Sequence, residues 1–125
     1  MKKLLWLAVL LVSAVWPSYS APKRVPSIKD VRTVYVQRLQ GDRVFARRLM
    51  NEMRALGLRF VSDKKRADAS LSARGDYSKG QFFGVITFHD KNGRVIWSAQ
   101  ALRPRGSNYM ASRRLTDKLR AASRK

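Results

Sequence analysis

Cysteine is absent from this sequence. Disulfides, thiolate metal sites and the lipid-bearing cysteine of a bacterial lipoprotein are therefore excluded, and the chain must fold on its apolar core alone. Histidine occurs once, at His89, so a metal site built on several imidazole or thiolate ligands has no second member. Acids are scarce: 8 Asp and Glu stand against 27 Lys and Arg, a formal charge of +19. No glycine-rich phosphate loop and no Gly-x-Ser-x-Gly elbow is present. Beyond residue 20 no apolar run approaches the roughly 20 residues that a membrane-spanning helix needs.

What is present begins with a leader. Lys2 and Lys3 precede an apolar run of 13 residues, Leu4 to Trp16, broken only by Ser13. Pro17 ends it, and Ser18-Tyr19-Ser20 puts small residues at the two positions a signal peptidase reads. Residues 1–20 are expected to be a cleavable signal peptide, cut before Ala21; an uncleaved anchor is the alternative, for which the run is short. Residues 21–30, with Pro22 and Pro26, are expected to form an extended linker. Residues 31–125 are then a single α/β domain, periplasmic or secreted, with at most peripheral membrane contact once the leader is removed.

Without the two leader lysines the chain keeps 25 basic residues and a charge of +17, and 17 of those cations are arginines. Such a charge attracts polyanions at a cost in self-repulsion. Arginine's planar fork suits phosphate and carboxylate oxygens, although arginine preference alone is compositional and marks no site.

Periodicity gives the element order. Residues 31–39 (VRTVYVQRL) are β-rich. Gly41-Asp42 is a turn followed by a helix cap, and Phe45, Leu49, Met53 and Leu56 form one stripe of a helix over 43–56, closed by Gly57. A short strand over 58–62 follows, then an alternating one over 67–75 and a loop over 76–80. Two further β-rich runs, 82–89 and 94–102, flank Asp90-Lys91-Asn92-Gly93. Asn-Gly there predicts a hairpin, because both residues tolerate positive φ. A final helix is expected from Tyr109 to about Ala122. The fold class is α+β: β-α-β-β-β-α, a mixed sheet with two helices on one face, the first two strands parallel and the rest an antiparallel meander.

The segment Ala67-Asp68-Ala69-Ser70-Leu71, followed by Asp90-x-x-Gly93-Arg94-Val95-Ile96-Trp97, resembles small domains of bacterial envelope proteins. The amino-terminal domain of the translocation protein TolB, the curli secretion protein CsgG and related lipoproteins carry this pattern after a β-α unit. The sequence departs from it in lacking the lipoprotein cysteine, in having Ala73 where a Gly is usual, and in its charge. The resemblance implies a non-catalytic binding or adaptor domain and transfers no active site.

The residues themselves agree. Asp42 caps a helix, Asp63, Asp76 and Asp90 sit at expected turns, Glu52 and Asp117 lie on helix surfaces, Asp117 four residues from Arg113, and His89 ends a strand. No catalytic residue, metal or cofactor is assigned. Phe82, Phe83, Phe88 and Trp97 are expected in the core, and Gly84 marks a bulge or a close backbone contact. Arg43, Arg47 and Arg54 lie within roughly 40° of one another on the first helix. Arg113, Arg120 and Arg124 share a stripe of the second. Lys64, Lys65, Arg66 and Arg103, Arg105 add basic loops. These eleven are the candidate polyanion-binding residues. The expected partner is an anionic envelope polymer, a lipid headgroup or an acidic envelope protein. Nucleic acid is disfavoured by export and by the lack of interleaved aromatics. Two alternatives remain open: a small secreted hydrolase with a carboxylate pair, and an interaction subunit that pairs through a sheet edge.

Overall fold

The computed structural model describes residues 27–104 and 108–124; the expected leader and most of the linker, like Arg105, lie outside them. Five strands and two helices follow in the order β1 (Thr33–Gly41), α1 (Arg43–Ala55), β2 (Arg59–Val61), β3 (Ala69–Ser78), β4 (Gln81–His89), β5 (Val95–Pro104) and α2 (Asn108–Arg124). The sheet order is β2-β1-β3-β4-β5. β1 runs parallel to both β2 and β3, whereas β3, β4 and β5 form an antiparallel meander. Residues 28–30, expected at the end of the linker, form a 3-10 turn capped by Ser27, and Ile28 packs on the core.

Both helices cover one face of the sheet. Phe45, Leu49 and Met53 of α1 and Ala111, Leu115 and Leu119 of α2 are buried against Val34, Leu71, Ala73, Ile86 and Phe88. The helical period of 3.6 residues and the strand period of 2 set these two faces against each other. The helices run side by side in the same direction. Asn108 Nδ2 donates to Asp42 Oδ2 (2.8 Å) at their starts, and the Thr116 hydroxyl donates to Glu52 Oε2 (2.6 Å) farther along. The same Asp42 oxygen accepts from the Phe45 N–H (2.8 Å), so one carboxylate caps α1 and ties down the start of α2.

Gly75 and Gly84 pair across β3 and β4 on the helix-facing side, and the Phe45 ring occupies the notch they leave. Gly84 is therefore a close contact rather than a bulge. The bulges fall instead at Gln37 in β1 and Ile96 in β5, where the registers shift.

Several local expectations are corrected. β2 spans three residues rather than five. In the β4–β5 turn only Gly93 has positive φ (81°); the Asp90 carboxylate orders this longer loop by accepting from the N–H groups of Asn92 (2.8 Å) and Arg94 (2.9 Å). The tight two-residue turn lies between β3 and β4, at Lys79 (φ 51°) and Gly80 (φ 75°), where a loop was expected. Positive φ at both central positions matches the right-handed twist of the strands. Phe83 is 38% exposed on the uncovered sheet face, because the expected core aromatics alternate with the strand period. Asp76 lies in β3 and pairs with Arg74 rather than sitting in a turn. Asp117 pairs with Arg120 (3.0 Å) and not by hydrogen bond with Arg113.

Asp68 does structural work that its sequence context does not show. Its Oδ2 accepts from the backbone N–H groups of Arg32 (2.8 Å) and Thr33 (3.0 Å), joining the start of β3 to that of β1. Burial pushes its carboxyl up, but these bonds, the Thr33 side chain and the charge of Lys91 together hold it below its ordinary value of 3.8. A carboxylate lowered in the folded state stabilises above the unfolded-state value and loses that contribution as pH falls through the folded value. Asp68→Asn is expected to cost about 1–2 kcal/mol at neutral pH. The gap from wild type should narrow as pH falls below 3.8 and close once the folded-state carboxyl is protonated, as read by urea unfolding across pH. Equal stability at neutral pH would contradict this role.

Candidate polyanion-binding surface

All eight acids are occupied by structural partners. Asp30 and Ser27 form a capping box, Asp42 caps α1, and Asp63 caps the 3-10 turn at 64–66. Asp68, Asp76, Asp90 and Asp117 have the partners described above. Glu52, expected on an open helix surface, is half-buried in the seam between the helices. Among the described residues no three of His, Asp and Glu gather as a metal site would require. His89, at the end of β4, has a buried Nδ1 with no hydrogen-bond partner among them.

The cations fall into separate groups. Arg43, Arg47 and Arg54 line one groove of about 360 Å³ between α1 and the second half of β1, together with Leu39, Gln40, Ala46, Met50 and Asn51. Spacings of four and seven residues return to nearly the same helix face, which is why the three meet. Arg54 lies 5.2 Å from the Phe60 ring centre and donates to Asn51 Oδ1 (3.1 Å). None of the three ion pairs among the described residues involves this groove. Asp42 also lines the groove, but its carboxylate is taken up by the Phe45 N–H and Asn108, so three cations face one acid that caps the helix.

Arg113 stands apart, in the seam between the helices. It donates to the Tyr109 hydroxyl (3.0 Å), while Arg48 of α1 sits 4.6 Å from the centre of the same ring. The Tyr109 hydrogen bond foremost, then the charges of Tyr109, Asp117 and Glu52, raise the Arg113 guanidinium above its ordinary value. Arg48 was not a candidate. One position on from Arg47, it points about 100° away, toward α2, a direction that only the helix packing makes meaningful.

Arg120 and Arg124 line a second groove of about 510 Å³ at the carboxyl ends of both helices, with Arg32 and Leu58. Lys64 and Lys65 border a third of about 340 Å³, next to Asp90 and Lys91. Arg66 is paired with Asp63 (3.8 Å). Arg103 is half-buried on the helix-facing side of β5, its Nε without a hydrogen-bond partner among the described residues. Of the ten candidates among the described residues, the structure thus assembles three into one groove and places the other seven elsewhere.

These features define a small, strongly basic α+β domain with a mixed five-stranded sheet. No family model and no curated protein matches the chain. Solved structures with the same fold include the PelC dodecamer of Paraburkholderia phytofirmans, at TM-score 0.52 and 19% identity over 78% of this chain and 92% of that one. TolB of Acinetobacter baumannii aligns at TM-score 0.58 and 8% identity, covering 74% of this chain and 28% of TolB. A ribosomal subunit interface protein of Coxiella burnetii aligns at TM-score 0.50 and 12% identity, over 72% and 94%. The likeness to TolB drawn from the sequence pattern is matched by a shared fold.

Proposed function

We propose that this chain is an exported, non-catalytic binding domain of the bacterial cell envelope, which holds an anionic component at the α1 groove. The observation that carries this reading is the row Arg43, Arg47 and Arg54, brought to one groove with no acidic residue paired to it. The leader and the fold shared with TolB and PelC support an envelope setting. The ribosome-associated neighbour has the same fold, so the fold alone does not decide between partners; the export signal favours an extracytoplasmic one. The engagement of every acid in caps, turns and ladders weighs against a carboxylate-pair hydrolase.

The test is binding of the exported, processed protein to soluble polyanions across a salt series. Affinity is expected to fall roughly tenfold or more between about 0.05 and about 0.3 M salt, since exposed charges are screened over a Debye length of about 8–10 Å at the intermediate concentrations. Reversing Arg43, Arg47 and Arg54 to Glu should abolish binding and leave the circular dichroism spectrum unchanged. Reversing Arg113 alone should have a far smaller effect, because its guanidinium is engaged by Tyr109. No binding at low salt would defeat this reading.

A further inference from the structure

β1 is flanked unequally. β3 accompanies it from Val34 to Gly41, but on the other side β2 pairs only with Thr33 to Tyr35. Among the described residues no strand pairs with the outer edge from Val36 to Gln40. Leu39 is on the helix-facing side, opposite buried Ala73, yet it is 38% exposed because nothing continues the line of β2 beside it. Leu39, Ala46 and Met50 make an apolar floor between this edge and α1, and Arg43, Arg47 and Arg54 supply its cations. The bulge at Gln37 falls at the start of the open stretch, and from Arg38 to Gly41 the register is regular.

The opposite sheet edge is guarded. Lys118 of α2 reaches over β5, where its Nζ donates to the Gln100 carbonyl (2.7 Å), so a charged side chain already occupies an acceptor that an added strand would use. Along the open stretch of β1, which carries Arg38 and the Gln37 bulge, no side-chain hydrogen bond to the backbone carbonyls occurs among the described residues. Dimensions also agree. The edge from Val36 to Gly41 spans roughly 16 Å at about 3.3 Å per residue. α1 from Arg43 to Arg54 rises roughly the same distance at about 1.5 Å per residue. Alternate residues of a strand lie about 6.6 Å apart, and residues four apart on a helix about 6 Å, so acidic side chains at every second position match Arg43 and Arg47.

We infer that the open edge of β1 accepts an extended acidic polypeptide segment as a sixth strand. Its backbone pairs with Val36–Gln40. Alternate Glu side chains lay their methylene stems on Leu39 and Met50 and carry their carboxylates to the arginines. This inference rests on the anion-binding reading of the α1 groove and assigns that groove a polypeptide partner held by main-chain hydrogen bonds as well as charge.

The probes are a synthetic peptide alternating Glu and Val, two versions of it N-methylated at every second residue in opposite registers, and inorganic polyphosphate. All are titrated against the processed protein at low salt. A strand added to one edge presents every second N–H to that edge. One methylated version should therefore bind at least tenfold more weakly than the parent, while the other binds like it. Hydrogen exchange should slow at amides within Val36–Gln40 only with the parent and the tolerated version. Equal binding by all three peptides, or equal loss in both methylated ones, would overturn strand addition. Polyphosphate binding without peptide binding would also overturn it, while leaving the anion-binding reading intact. Failure of every probe would remove both.

Discussion

Gly41→Ala is expected to destabilise the domain by about 3 kcal/mol or more, a loss on the order of 12 °C or more in Tm for a chain of this size. Gly41 joins β1 to α1 at φ 87°, where a side chain is strained in any surroundings. A Cβ there would also sit on the backbone carbonyl oxygen of Gly75, the same oxygen that accepts the Asp42 N–H (2.7 Å). Backbone cannot rotate aside as a side chain does, so β1, β3 and the start of α1 must shift together. Gly57 is the control. It has φ 99°, and a Cβ there meets nothing within 4 Å. Gly57→Ala should cost only the conformational strain, about 1 kcal/mol. Thermal and urea unfolding of both variants separates strain from overlap, and equal costs would show that the crowding at Gly41 relaxes.

The parts legible in the sequence are those set by neighbours in the chain. The α1 stripe, its Asp42 cap and the grouping of Arg43, Arg47 and Arg54 follow from helical spacing alone. The element order follows from alternation and turn residues. What was not legible depends on pairings distant in sequence. Asp68 reads as a polar position of an alternating strand until residues 35 and 36 positions away present their N–H groups. Glu52 reads as a surface acid until Thr116 is packed beside it. Lys79-Gly80 lacks the Asn-Gly signature, and its positive φ values are imposed by the nine-residue register of β3 on β4. The open edge of β1 turns on β2 being three residues long rather than five, a difference smaller than propensity resolves.

Gly75→Ala is the second large effect, expected to cost about 2–4 kcal/mol through overpacking. An added Cβ would lie 2.5 Å from Phe45 Cδ2 and 2.7 Å from Phe82 Cζ, in a core where both rings are fully buried and 5.2 Å apart between centres. If Phe45 is the chief obstacle, shrinking it should partly undo the damage. Phe45→Leu alone should cost about 1–3 kcal/mol. The double variant should then be more stable than the sum of the two single losses by at least about 1 kcal/mol, as expected for residues that share one space. Rescue must stay incomplete, because the edge of Phe82 is untouched. Gly84→Ala calibrates the cycle. Its Cβ would meet Phe45 at 3.1 Å and Leu115 at 3.2 Å, side-chain atoms that need to yield only a few tenths of an ångström, so its cost should fall below that of Gly75→Ala. Additive losses at Gly75 and Phe45, or a larger cost at Gly84, would mean that the ring does not depend on the notch between β3 and β4 for its place in the core.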